Sequence, residues 1–191
     1  DLPRNTREEI GEVLFTHEGI SGPAALNLSA DAAVALRDRQ AVPLRLQPLA
    51  GVTREEWQAR MAEWRRARGA RRLRNALDEE LPASLARALC TLAGDANLTV
   101  AETPRDVLDR LLDCVSGIRL TVTETADWSQ AMATRGGVSL REVDPHSLQS
   151  RLALGLFFCG ELLDLDGPCG GFNLQWAFAS GFLAGQAACM A

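Results

Sequence analysis

The sequence predicts a mixed fold that combines α/β and α+β parts, and three observations predict it. Strand patterns occur early and late in the chain, on either side of four helical segments in residues 53–116. The strand at residues 42–46 alternates apolar and polar side chains, as expected of a strand with one solvated face. Near the end, an apolar stretch is followed by a glycine-rich loop and a long apolar helix, which is the order of a strand–loop–helix unit.

The first third of the chain contains short elements. Residues 13–16 predict a short strand, and Ser21-Gly22-Pro23 predicts a turn. Proline suits the first position of a helix, which we expect over residues 24–28. The alternating strand at 42–46 follows.

Residues 53–116 predict a helical subdomain. Thr53 and Glu56 have the spacing of a capping box, in which each side chain satisfies a free amide at the helix start. This first helix is expected to end near Arg68. We expect three further helices, over residues 71–80, over residues 82–94, and after a cap formed by Thr103-Pro104-Arg105-Asp106.

Strand patterns return after residue 116. Residues 118–125 alternate and predict a strand, and residues 130–143 predict two short extended pieces around Gly136-Gly137. The apolar stretch 154–161 predicts a strand buried on both faces. The last helix is expected over residues 173–188. Its stripe of small residues suits close packing on a sheet and consists of Gly181, Ala184, Gly185 and Ala188.

The composition excludes several kinds of chemistry. All 20 basic residues are arginine and tyrosine is absent, so a Schiff-base lysine, a P-loop lysine and a catalytic tyrosine are excluded within this sequence. The net charge of −5 gives no general attraction to nucleic acid or anionic membrane. We therefore expect neither partner. No metal site is expected from two histidines and five scattered cysteines without a C-x-x-C pair.

The cysteine usage favours a reducing, cytoplasmic location. Cys159 and Cys169 flank the glycine-rich loop, and we interpret them as packing residues rather than a redox disulfide. The chain starts at Asp1 rather than Met, and we expect it to be a piece of a longer polypeptide. His17 and His146 are interpreted as structural residues.

The stretch GELLDLDGPCGGFNLQWAFASG, residues 160–181, predicts a ligand site. The amides of residues 171–174 lie at the positive end of the last helix, where they can donate to a phosphate or a polarised ring carbonyl. The carboxylate of Glu161 suits sugar hydroxyls. Asp164 and Asp166 would repel a phosphate, so a polyol or ring carbonyl is expected beside them.

Three stretches carry a resemblance: GEVLFTHEGISGP, MATRGGVSLREVDPHSLQSRLALGLFFCGELLDLDGPCGGFNLQWAFASG and the arginine-rich middle. They resemble the carboxyl-terminal half of the BaiN-type NAD(P)/FAD-dependent oxidoreductases, bacterial flavoproteins that include aminoacetone oxidase-like proteins. The resemblance covers nearly the whole chain. The amino-terminal G-x-G-x-x-G unit of that family does not occur in this sequence, and Phe172 stands where the family usually has tyrosine.

The resemblance implies four segments. Residues 1–52 would form the first part of a β-barrel-like insert, and residues 117–134 its return strands. Residues 53–116 would form a helical insert subdomain. Residues 135–191 would be the C-terminal segment, with its strand–loop–helix, of a Rossmann-like FAD-binding domain.

The resemblance also implies an FAD site and hydride transfer. Glu161 would bind the ribityl chain, and the amides of Gly171 to Leu174 would face the flavin. NAD(P)H or O2 would be the redox partner, with a small organic substrate. A missing amino-terminal FAD-binding segment would complete the site, so this chain alone is expected to be incomplete and inactive. No catalytic residue is assigned, and the expected cofactor-binding residues are Gly136, Gly137, Gly160, Glu161, Asp166, Gly170, Gly171, Phe172, Asn173 and Leu174.

Two alternatives stay open at this point. Gly136-Gly137 is more often a structural bulge or turn, whereas the resemblance places the pair near the cofactor. In that case Arg135 beside it can meet a flavin edge or a substrate carboxylate. The six arginines in residues 65–74 suit a nucleic-acid or protein interaction module. The commoner interpretation is a solvated helix face paired with nearby acids such as Glu63 and residues 78–80.

Overall fold

A computed structural model describes residues 6–38 and 41–190. The predicted ranges that begin at residue 1 or end at residue 191 therefore extend outside the described residues. The chain divides into two compact units. We call Asp1–Gln40 with Thr123–Ala191 the terminal unit and Ala41–Val122 the helical unit. In chain order the elements are β1 (Leu14–Phe15), β2 (Ile20–Ser21), α1 (Pro23–Asp38), β3 (Val42–Leu46), α2 (Arg54–Arg68), α3 (Leu73–Leu77), α4 (Ala83–Ala93), α5 (Arg105–Ser116), β4 (Ile118–Val122) and α6 (Phe172–Met190).

The helical unit begins with β3 and ends with β4, and these two strands pair antiparallel. β3 pairs with β4 over five residues, with Leu44 opposite Leu120. β3 has the bounds predicted from its alternation, whereas β4 ends three residues before the predicted residue 125. Because side chains on one strand alternate between two faces, Val42, Leu44 and Leu46 share one half-buried face.

The core of the helical unit lies among α2, α3, α4 and α5. Trp57 of α2 and Leu111 of α5 are both 0% exposed in this core. The predicted capping box is confirmed: the Thr53 hydroxyl accepts from the Glu56 amide at 3.2 Å, and the Thr53 amide donates to the Glu56 carboxylate at 2.7 Å. A cap of this kind stabilises a helix by about 1 kcal/mol.

Two predictions in this unit need correction. Thr103 does not cap α5; its side chain is buried and its hydroxyl donates to the Thr99 carbonyl at 2.8 Å, while Pro104 is the cap residue. The second helix is shorter than predicted because Arg72 is extended and forms an isolated bridge with Thr99. That bridge occupies backbone groups which a longer helix would need.

The terminal unit contains β1, β2, α1 and α6. β1 and β2 form an antiparallel pair with Phe15 opposite Ile20. Pro23 is the first residue of α1, as predicted, but the helix continues to Asp38, well beyond the predicted residue 28. α6 confirms the predicted last helix.

The predicted buried strand at residues 154–161 is wrong for the described part of the chain. This segment is irregular, with residues 154–156 exposed and 157–159 half-buried. It forms one isolated bridge, from Phe157 to Gln149, beside two backbone hydrogen bonds: the Ser150 amide donates to the Leu156 carbonyl at 2.7 Å, and the Phe158 amide to the Leu148 carbonyl at 3.0 Å. The two extended pieces predicted in residues 130–143 are also mostly irregular, with a parallel bridge from Val138 to Leu163 and an antiparallel bridge from Val143 to Ser150. A strand needs a continuous ladder of partners, and within the described residues these segments have isolated bridges.

The small-residue stripe of α6 packs less closely than predicted. Ala184 is buried, but a Cβ added at Gly181 or Gly185 would meet no atom within 4 Å in the described part of the chain. The described strands form two separate two-stranded pairs. The barrel-like insert therefore stays a prediction.

Candidate functional site

Gly160 attaches the start of the candidate loop to α6. Its amide donates to the Ser180 hydroxyl at 2.9 Å, and its carbonyl accepts from the Trp176 indole nitrogen at 3.2 Å. Its φ of +60° is a conformation that glycine adopts without strain. Ser180 and Trp176 are one helical turn apart, so both reach the same glycine.

The Gly136-Gly137 pair lies against the turn that follows Gly160. A Cβ added at Gly137 would come within 2.5 Å of the Leu162 carbonyl oxygen and 2.9 Å of the Leu163 carbonyl carbon. On either side of this contact, the Val138 amide donates to Leu162 at 2.8 Å and the Asp164 amide to Val138 at 2.9 Å. Gly137 thus has a structural role, as one of the two open interpretations expected.

Glu161 and Gly136 remain open to solvent at this place. The Glu161 carboxylate is exposed and accepts from the Thr134 amide at 3.4 Å, a long hydrogen bond. Gly136 has a φ of +98°, and an added Cβ would meet nothing within 4 Å. A ligand could therefore approach both the Glu161 carboxylate and the Gly136 backbone from solvent.

Asn173 fixes the glycine-rich loop on the first turn of α6. Its side-chain oxygen accepts from the Gly167 amide at 2.7 Å, and its nitrogen donates to the Gly167 carbonyl at 3.1 Å. Gly170 and Gly171 have φ angles of +131° and +91°, which side-chain-bearing residues rarely adopt. The loop therefore turns sharply directly before the helix begins.

The start of α6 carries unpaired donors. In the described part of the chain, the amides of residues 171–174 have no hydrogen-bond acceptor; the first amide with one is Gln175, which donates to Gly171 at 3.0 Å. Phe172 and Leu174 are largely exposed beside them. Backbone donors at a helix start carry a partial positive charge, so this turn suits an electron-rich oxygen.

An open groove lies beside these donors. Its volume is about 180 Å³ and it is lined by Leu165, Asp166, Gly167, Pro168, Phe172, Asn173 and Trp176. Ligand pockets for whole small molecules usually measure roughly 300–1,000 Å³. The groove therefore suits one edge of a larger ligand.

Arg135 connects the loop to α1. Its guanidinium lies 2.9 Å from the Asp31 carboxylate and 3.4 Å from that of Asp166. On the same helix, the Asn27 side-chain oxygen accepts from the Cys169 amide at 2.7 Å. In this structure the Arg135 guanidinium is thus paired with two carboxylates of its own chain.

Sequence reasoning missed four residues that hold the loop: Asn27, Asp31, Trp176 and Ser180. Asn27 and Asp31 are four residues apart, which places them on one face of a helix. This signal was hidden because the helix was expected to end at residue 28.

The Asp31 carboxylate gives a testable dependence of stability on pH. Its pKa lies below the ordinary value of 3.8, mainly because Arg135 donates a hydrogen bond to it, with an added contribution from the Arg7 charge and an opposing one from burial. Its stabilising effect is fully present above the unfolded-state pKa and is lost as the pH falls through the lower folded-state value.

We expect Asp31→Asn to destabilise the protein by less than about 1 kcal/mol at neutral pH, because the pair is partly exposed. The difference should shrink as the pH falls through the lowered folded-state pKa of Asp31 and vanish below it. Thermal melting of Asp31→Asn and of the control Asp38→Asn over a pH series measures this. A loss that persists unchanged at low pH would contradict it.

The predicted site residues thus fall into two groups within the terminal unit. Gly160, Glu161 and the Gly136-Gly137 pair meet around residues 160–164, and Asp166 and residues 170–174 meet at the start of α6. Trp176 contacts both groups, since it bonds Gly160 and lines the groove.

Other kinds of site find no support among the described residues. All five cysteines are free, and Cys169 is exposed. No group of three His, Cys, Asp or Glu side chains within residues 6–38 and 41–190 is arranged to hold a metal ion. Of the helices described, none has the length and apolar character to cross a membrane.

Comparison with known proteins finds relatives that include the following three. The chain is 30% identical to a ribosomal RNA dihydrouridine synthase of Escherichia coli (strain K12) over 91% of its length and 41% of the relative's. It is 29% identical to a protein of the same name from Haemophilus influenzae, over 90% of the chain and 40% of the relative. It is 54% identical to a 3-dehydro-bile acid delta(4,6)-reductase of Clostridium scindens over 36% of the chain and 17% of the relative.

The matched regions therefore cover less than half of the length of each of these curated relatives. Residues 21–187 also match the family described as HI0933-like protein Rossmann domain. This match includes the helical unit, the glycine-rich loop and most of α6, so the chain belongs to the HI0933-like Rossmann domain family.

Proposed function

We propose that this chain provides the flavin-facing part of an FAD-dependent oxidoreductase of the BaiN type. The observation that carries the proposal is the set of unpaired amides at residues 171–174, next to a loop that Asn173 holds in place. Donors at a helix start stabilise negative charge on a flavin ring, which favours its reduced form. The match to the HI0933-like family supports the same conclusion.

The chain's own residues divide the work of holding FAD. The amides of Gly171, Phe172, Asn173 and Leu174 would donate to the polar edge of the flavin. The exposed Glu161 carboxylate would accept from ribityl hydroxyls, and Gly136 leaves room beside it. When bound, FAD supplies hydride transfer between a redox partner, NAD(P)H or O2, and the substrate.

The ADP end of FAD requires a second binding element. The curated relatives are more than twice as long as the regions matched here. We propose that a G-x-G-x-x-G segment of the same polypeptide holds the pyrophosphate, as such segments do in dinucleotide-binding folds. We also propose that the protein acts in the cytoplasm.

We propose RNA as the substrate class. Two relatives are named ribosomal RNA dihydrouridine synthases, and their similarity extends over nine-tenths of this chain. The similarity to the bile acid reductase is higher in identity but covers about a third of the chain. A small organic substrate, as the sequence first implied, is the alternative.

The test uses the natural polypeptide that contains this sequence. We expect it to purify with bound FAD, and Asn173→Ala to weaken FAD binding about tenfold or more, because Gly167 then loses both hydrogen bonds and the donor turn loosens. Gln175→Ala, on the same turn of α6, is the matched control and should bind normally. Titration monitored by flavin fluorescence measures both affinities.

The proposal fails if the protein purifies colourless and added FAD does not raise its melting temperature, because a ligand of the native state must stabilise it. Equal FAD affinity of Asn173→Ala and the parent would remove α6 from the site.

A further inference from the structure

Residues 65–74 concentrate positive charge in the helical unit. This stretch, which we call the arginine segment, contains six arginines and no acidic residue. It comprises the end of α2, the following turn and the first residues of α3. The whole chain, by contrast, has a net charge of −5.

The acids near the arginine segment neutralise only part of it. Arg68 lies 2.7 Å from the Glu79 carboxylate, and Arg71 pairs with the same carboxylate. Arg65 donates to two backbone carbonyls, Val100 at 3.2 Å and Thr103 at 2.6 Å. The interpretation of a face paired with acids therefore holds for Arg68 and Arg71.

Three arginines of the segment remain without a carboxylate. Within the described helical unit, Arg66, Arg72 and Arg74 form no ion pair. Arg66 and Arg72 are exposed, and Arg74 is half-buried. Guanidinium groups in this state keep their donors available for an anion from outside the chain.

The backbone of the segment is held in a fixed shape. The Val100 amide donates to the Arg71 carbonyl and the Ala101 amide to the Gly69 carbonyl, both at 2.9 Å. The Leu73 amide donates to the Leu98 carbonyl at 2.9 Å. Because the backbone is already ordered, binding an anion here costs less conformational entropy than at a flexible basic tail.

Charge is divided unevenly between the two units. The helical unit has 13 arginines against 11 acidic residues, a net charge of +2, whereas the terminal unit has seven arginines against 14, a net charge of −7. A polyanion is therefore attracted to the helical unit and repelled by the other.

We propose that the arginine segment binds the phosphate backbone of RNA, with Arg66, Arg72 and Arg74 as the phosphate contacts. The guanidinium fork matches the geometry of phosphate oxygens and donates two hydrogen bonds to them. The choice of RNA over other polyanions rests on the proposed function. Contacts of this kind position a substrate and carry no sequence preference.

The test measures binding of a fluorescein-labelled single-stranded RNA to the natural polypeptide by fluorescence anisotropy over a salt series. Changing Arg66, Arg72 and Arg74 together to Ala is expected to weaken binding at least tenfold. The slope of log K against log salt should become shallower by about 2, since each contact with a single strand contributes about 0.7.

The matched control changes Arg87, Arg105 and Arg119 to Ala. These three arginines lie outside the segment, are exposed, and form no ion pair in the described helical unit. The control therefore removes the same amount of charge as the test variant, but from other positions. We expect a clearly smaller effect on both affinity and slope. Circular dichroism melting and FAD content of both triple variants should match the parent, which separates this test from that of the flavin site.

Equal losses in both triple variants would overturn the proposal, because net charge rather than this segment would then govern binding. Absence of RNA binding by the parent would overturn it as well, and so would binding to phosphatidylserine vesicles without binding to RNA. If the parent polypeptide bound RNA but did not bind FAD, the flavin proposal alone would be contradicted.

Discussion

Leu111→Ala is expected to lower the free energy of unfolding of the helical unit by about 2–5 kcal/mol. Leu111 is 0% exposed and lies in the core formed by α2 to α5. Removing three carbon atoms there leaves a cavity, and the surrounding helices can close it only in part. This is a large part of the total stability of an ordinary domain.

The matched control is Leu92→Ala, the same substitution on an exposed face of α4, where the side chain is 67% exposed. We expect a change within about 0.5 kcal/mol. Urea unfolding followed by circular dichroism, with hydrogen exchange of α5 peptides, measures both variants. Similar losses in the two variants would show that Leu111 is not part of a tight core.

Gly137→Ala is expected to destabilise the terminal unit by about 2–3 kcal/mol, because the added carbon would lie 2.5 Å from the Leu162 carbonyl oxygen. That neighbour is backbone, so residues 162–163 must move as a whole. Val138 forms two hydrogen bonds with this turn, with lengths of 2.8 Å and 2.9 Å. Both bonds should break when the turn moves. Since Glu161 lies in the same turn, FAD affinity should also fall.

Gly136→Ala is the control for this change. Its φ of +98° makes alanine unfavourable by about 1 kcal/mol, but no atom lies within 4 Å of the added carbon. The difference between the two variants in melting temperature, and in hydrogen exchange of residues 134–144, isolates the close contact. If both variants lose the same amount, backbone strain alone explains the result and the contact contributes nothing.

Local patterns predicted the helical unit well. The capping box at Thr53, the end of the first helix at Arg68 and the helix 83–93 all depend on residues within a few positions of each other. In α5, Val107, Leu111 and Leu112 have the spacing of one helical face and lie in the core. Interactions of this range are encoded in the local sequence, so they can be inferred without the fold.

Long-range contacts were not predictable in the same way. The apolar residues 154–158 have strand composition, but composition does not supply a pairing partner. Likewise Asn27 contacts Cys169 across most of the chain's length, at a separation that no local pattern reports. The candidate loop was found from its glycines and acids, whereas four of the residues that hold it in place were not: Asn27, Asp31, Trp176 and Ser180.

The sequence by itself determined the capping box and the end of α2, the α4, β3 and α6 segments, the glycine-rich loop as the place to look for a ligand, and the excess of arginine in residues 65–74. The tertiary structure decided that Gly137 lies against the turn at residues 162–163, that Arg135 pairs with Asp31 and Asp166, and that some arginines of the segment have acidic partners while others have none. The physical reason is distance along the chain. Hydrogen bonds and side-chain periodicity within a helix join residues three or four positions apart, whereas close backbone approach and ion pairing depend on which remote segments the folded chain brings within a few ångströms.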